Sequence, residues 1–113
     1  MPCIHQFGVI EQLDPNKNYE VYEPELYQLV AVQDDYLDAW WQQLMLMKSY
    51  FHRLDRPAYG LARYGITLLP PESLPVFYDA VAAGPYRDAQ VNQLLALLLD
   101  AIQRKKFVIH YGV

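Results

Sequence analysis

Cysteine is almost missing from this chain. With Cys3 alone no internal disulfide forms, nothing demands an oxidising compartment, and the multi-cysteine zinc frameworks are excluded. Long apolar runs are missing too: the longest, Leu94 to Leu99, falls far short of the roughly 20 residues that span a bilayer. No basic stretch leads into an apolar one near the N-terminus, so no signal peptide is expected and the expected location is cytoplasmic. Basic residues are outnumbered, nine Lys and Arg against 13 Asp and Glu, giving a net charge of −4. Nucleic-acid binding needs a basic footprint, so nucleic acid is not expected as the partner, and neither is a membrane. No internal repeat, low-complexity stretch or linker interrupts the sequence.

What is present is enough for a core. Hydrophobic residues make up 53% and charged residues 19% of 113 positions, a composition that disordered chains do not have, and the length suits one domain covering residues 1–113. Cys3 to Leu13 reads as a strand, with Phe7 and Val9 on one face and Ile4 and Ile10 on the other. Asp14-Pro15-Asn16-Lys17 is a turn. Tyr19 to Tyr22 reads as a short strand that Pro24 ends, and Leu26 to Gln33, with little polar content, as a central strand. Asp34 and Asp35 open a helix whose apolar positions Leu37, Trp40, Trp41, Leu44, Met47 and Phe51 keep helical spacing. Lys48, His52 and Arg53 fall at its far end, as the helix dipole favours. Tyr59 to Leu69 reads as a strand, Ser73 to Gly84 as a helix with Pro75 in its first turn, and the segment after Asp88 as a helix ending near Lys106. Phe107 to Tyr111 is a closing strand. The expected fold is α+β: a four- or five-stranded mixed sheet, with crossover connections, packed with three helices.

Catalytic signatures are missing. There is no Gly-x-Ser-x-Gly elbow, no His-Glu-x-x-His and no glycine-rich phosphate loop, so the chain reads as non-enzymatic and no cofactor is expected. Cys3 and His5 share a strand face, and His110 could join them to hold a metal or activate a thiolate. The simpler reading, in which His5 alternates with Phe7 and Val9 on a packed face, is preferred, and no metal or catalytic residue is assigned. Trp40-Trp41 with Met45 and Met47 reads as core.

Charge is the most distinctive feature. Residues 1–38 hold eight acids against Lys17 alone, a net of −7, and the remainder holds five acids and eight bases, a net of +3. Tyr19, Tyr22, Tyr27 and Tyr36 lie in the same acidic third. Tyrosines bury large areas at low entropic cost, and acidic charge speeds encounter with a basic protein. The leading expectation is therefore a protein-binding domain, of the immunity, inhibitor or adaptor kind, whose Tyr19, Glu20, Tyr22, Glu23 and Glu25 hold a basic partner. A second expectation, of a different class, is a small-molecule site or small enzyme near the strand-to-helix loop 67–73, drawing on His52, Asp55, Arg56, Thr67, Ser73 and His110. A third is a self-associating subunit, such as a homodimer, whose oppositely charged regions meet across an interface.

Overall fold

The computed structural model describes residues 4–113. Among these residues six strands and three α-helices follow one another. β1 is Ile4–Ile10, β2 Val30–Gln33, α1 Asp34–Leu44, β3 Lys48–Phe51 and β4 Pro57–Tyr59. β5 is Ile66–Leu69, α2 Leu74–Ala83, α3 Ala89–Arg104 and β6 Phe107–Gly112. The strands form one sheet in the order β2-β1-β6-β5-β3-β4. Every neighbouring pair is antiparallel. The chain is thus α+β with three helices, as its sequence implies, but the sheet has six strands and is not mixed. The connection from β5 through α2 and α3 is not a crossover, since it brings β6 back beside β5 and antiparallel to it.

The alternation of each strand divides the core in two. Phe7, Val32, Leu69 and Val108 point to the face covered by the helices, where they meet Leu37, Trp40, Phe77, Leu94 and Leu98. Ile66, Leu68, Ile109 and Tyr111 point to the opposite face. Tyr19, Leu13, Tyr27 and Leu29 of the long connection between β1 and β2 cover that second face. A fully buried side chain of the leucine or phenylalanine kind contributes about 1.5–3 kcal/mol, so both faces stabilise the sheet.

Four further expectations change. Leu26 to Gln33 is not a central strand: only its last four residues pair, at the edge of the sheet, and Pro24–Leu26 is a 3-10 turn. Tyr19 to Tyr22 is not a strand, although the Tyr19 N–H donates to the His52 carbonyl at 2.7 Å. The first helix ends at Leu44, so Met47, Lys48, Phe51, His52 and Arg53 lie outside it. Met47 and Ser49 are buried at a spacing of two, which suits a strand as well as Met47 and Phe51 suit a helix, and the hairpin with β4 decides between them. That hairpin needs Gly60: its φ is +74°, its N–H donates to the Met47 carbonyl at 2.8 Å, and a Cβ there would stand 2.7 Å from the Met45 sulfur. Gly60 to Gly65 consequently separates β4 from β5, where the sequence suggests one continuous strand.

The later elements follow their local signals. Pro75 sits in the first turn of α2 and Gly84 follows its end. Asp88 caps α3 by accepting from the Val91 N–H at 3.0 Å. Lys105 adopts a left-handed conformation, φ 56°, that turns the chain into β6. Among the described residues no helix is long and apolar enough to cross a membrane.

Candidate functional site

The most concentrated chemistry lies where β1, β6 and β5 meet the N-terminus of α1. Thr67 is directly opposite His110 across the β5–β6 pair, and His110 is opposite Phe7, two positions along β1 from His5. All three polar side chains point to the helix-covered face and are completely buried. His5 Nδ1 lies 2.8 Å from His110 Nε2. His5 Nε2 lies 2.7 Å from Asp34 Oδ1, and His110 Nδ1 lies 3.2 Å from Thr67 Oγ1. The two imidazoles are nearly parallel, with 13° between ring planes, and the Phe7 ring packs against His110 at 5.0 Å.

The direction of this chain follows from its ends. Asp34 can only accept, so His5 Nε2 carries a proton and its Nδ1 is an acceptor in the neutral ring. His110 must then donate from Nε2 and accept at Nδ1 from the Thr67 hydroxyl. Thr67 Oγ1 in turn accepts from the Ala62 N–H at 2.8 Å. With both rings neutral, every donor faces an acceptor. Burial, followed by the neighbouring His5, pushes the His110 pKa well below the ordinary histidine range. The Arg63 guanidinium, first, and His5, after it, hold the Asp34 carboxyl below the usual carboxylate range. Arg63 donates through Nε and Nη2 to Asp34 at 3.0 and 2.8 Å and reaches Asp38 at 2.9 Å. It also lies 5.3 Å from the Trp41 ring.

The cluster is closed to a substrate. Its hydroxyl and both imidazoles have no exposed surface, and none of the three clefts described below is lined by them. Its geometry joins three neighbouring strands, β1, β6 and β5, to the start of α1. Cys3, which the sequence places on the His5 face, lies outside the described residues. The ring nitrogens of His5 and His110 that face each other are 2.8 Å apart and bonded to one another, so neither is turned toward a common ion.

The other residues of the expected small-molecule site are dispersed. Ser73 donates its hydroxyl to the Lys48 carbonyl at 2.6 Å and is buried. His52 is the middle residue of a γ-turn, with φ 66° and the Arg53 N–H donating to the Phe51 carbonyl at 2.7 Å. Its Nδ1 is buried without a hydrogen-bond partner among the described residues. Asp55 pairs with Arg53 at 2.6 Å, and Arg56 gives its carbonyl to the Phe51 N–H. Asp55 lines a small cleft of about 190 Å³ with Arg53, Lys17 and Pro15. Thr67, Ser73 and His110 line none of the three.

The acidic, tyrosine-bearing segment forms a surface, with one member withdrawn from it. Tyr19 is buried, its hydroxyl accepting from the Asp14 N–H at 3.0 Å. It therefore anchors the segment from below. Tyr22 is 45% exposed, donates to Gln6 Oε1 at 2.6 Å and sets its ring edge-on to Tyr111 at 4.7 Å. Glu23 pairs with Lys17 at 3.2 Å. Glu20 and Glu25 are exposed and make no ion pair among the described residues. Val21 and Leu26 beside them are 60% and 55% exposed.

The remaining charge asymmetry is partly closed within the fold. Arg104 of α3 binds both Glu11 and Asp100, and Arg63 binds Asp34 and Asp38. An open cleft of about 740 Å³ separates residues 26–30 from α3. A second, of about 450 Å³, lies on the other side of Leu26 and Tyr27.

Asp34 and Arg63 were not singled out in the sequence as partners of the histidines. Asp34 reads there as a helix-opening acid, and Arg63 sits in a stretch that reads as strand. The spacing of His5 and Phe7 does identify the packed face. Neither the family models nor the curated proteins nor the solved structures compared with this chain give a match.

Proposed function

We propose that this chain is a non-enzymatic protein-binding domain that holds a basic partner through the surface of residues 20–26. The observation that carries this reading is the juxtaposition of Glu20 and Glu25, two carboxylates without an ion pair among the described residues, with the exposed side chains of Val21, Tyr22 and Leu26. They stand on a connection whose other face packs, through Tyr19 and Tyr27, against Tyr111 of the sheet. An apolar and aromatic centre supplies buried area, and unpaired acids supply steering and register. Anchoring of the segment lowers the entropy lost when a partner docks. The enclosure of His5, Thr67 and His110 gives no comparable support to the enzyme reading.

The test is capture on the immobilised chain at low salt, compared with the Glu20→Lys/Glu25→Lys variant. The expected result is a basic protein retained by the native chain, released by salt and lost from the variant, with slower association and a flatter salt dependence. Equal capture by both would overturn the proposal.

A further inference from the structure

We infer that the cleft between residues 26–30 and α3 is a strand-addition site, and that its occupant is a short extended segment of the partner, apolar in the middle and flanked by Lys or Arg. The inference rests on the protein-binding reading above and deepens it.

The argument starts from the register of β1. Ile4 and Val113 exchange both main-chain hydrogen bonds, Ile4 N–H to Val113 O at 3.1 Å and Val113 N–H to Ile4 O at 3.0 Å. In an antiparallel ladder bonded and non-bonded pairs alternate. On β1, therefore, the main-chain groups of Gln6, Gly8 and Ile10 point to β6, and those of His5, Phe7 and Val9 point to the β2 side. His5 and Phe7 find Val32 and Val30 there. Continuing the same register would bring Gln28 opposite Val9, but pairing stops at Val30. Residues 27–29 have left the ladder and pass over Gly8, where an added Cβ would stand 2.9 Å from Tyr27 Cβ. Among the described residues the Val9 N–H and C=O have no main-chain partner outside the β1–β6 ladder.

Those two groups point toward the open cleft, which Val9, Leu29, Ala96 and Leu97 line with apolar surface. An unpaired donor and acceptor at a sheet edge, beside pockets for alternate side chains, are the elements of recognition by strand addition. Charge selects the segment. Glu11 and Asp100 line this cleft, Asp14 lines the adjoining one, and Glu25 stands exposed beside Leu26. Against these four carboxylates stand Arg104, bound to Glu11 and Asp100, Lys106, whose Nζ donates to the Glu11 carbonyl at 2.8 Å, and Lys17, which lines the adjoining cleft and pairs with Glu23. The rim is left net negative, which favours a cationic flank.

The probe is a displayed library of random dodecapeptides selected on the intact chain. The expected binders carry a short apolar stretch next to Lys or Arg. Binding should slow hydrogen exchange at the Val9 amide, and Ala96→Trp should lose at least about tenfold in affinity, one decade of the dissociation constant. Ala96 is exposed on α3, and the exchange readout on the native chain does not depend on that variant. Val9 exchange unchanged by a bound peptide, or no enriched class of peptide, overturns the inference. Val9 protection that rises with protein concentration alone assigns the cleft to a second copy, which also overturns it. If Val9 does not respond while Glu20→Lys/Glu25→Lys still weakens the binder, the strand-addition site falls and the acidic surface stands. If neither responds, both fall.

Discussion

His5 and His110, 105 positions apart in the chain, share one hydrogen bond in a fully buried site, with Nδ1 of the first 2.8 Å from Nε2 of the second. That contact has room for one proton. A second would set two N–H groups against each other, so the pair is built for the neutral state or a single added charge.

Stability should accordingly fall on mild acidification. The folded-state pKa of His110 lies below the unfolded one, and burial is the first cause. Its contribution is fully present above the unfolded value near 6.5 and is lost as pH falls from there toward the folded pKa. Asp34, also depressed, contributes above the ordinary carboxylate range and loses its contribution only in stronger acid. Urea unfolding between pH 8 and pH 5 should show the decline, and a flat profile would refute it.

Removing one imidazole should hurt more than its own bond is worth. His5→Phe leaves His110 Nε2 and Asp34 without that partner, and an unsatisfied buried group costs about 1–3 kcal/mol. His5→Phe/His110→Phe should cost less than the sum of the single changes. A double-mutant cycle from equilibrium unfolding measures the difference, and strict additivity would show that the two rings do not interact.

Gly60 should resist even a methyl group. Its φ of +74° disfavours any side chain, and the Met45 sulfur would lie 2.7 Å from the new Cβ. Gly60→Ala should destabilise by about 1–3 kcal/mol, the usual cost of a residue forced into this conformation. Adding Met45→Ala should recover the steric part and leave the conformational part. Chemical denaturation of the three variants separates them.

Glu20→Lys/Glu25→Lys should fold as the native chain does. Both side chains are exposed and make no ion pair among the described residues, and surface changes of this kind fall within about 0.5 kcal/mol. A thermal unfolding curve superimposable on the native one would assign any loss of binding to the surface itself. A large fall in stability would instead place these carboxylates in the fold.

The regular elements with strong local punctuation were legible in the sequence. Asp88 caps α3, Gly84 follows α2 and the alternation in Phe107 to Tyr111 marks β6. The stretch from Met45 to Arg53 was not legible. Its apolar residues fit helical and strand periods alike, and the decision came from a contact with Gly60 farther along the chain. Edge or centre was also undecided locally: Leu26 to Gln33 is apolar enough for a central strand, yet Tyr27 and Leu29 spend that character on the second sheet face. The convergence of His5, His110, Asp34 and Arg63 depends on strand order, which no spacing in the sequence reveals. The acidic segment was visible as charge, whereas the burial of Tyr19 became apparent only with the sheet beneath it.

The central pairing of β1 with β6 also sets a timetable. At roughly 5–20 residues per second, a ribosome releases the His110 region about 5–20 s after His5. For that interval β1 exists without the neighbour that fills the middle of the sheet, and its ladder groups that face β6 are unpaired. The nascent chain is then a natural substrate for chaperones, and it stays one until nearly all of residues 4–113 has been made.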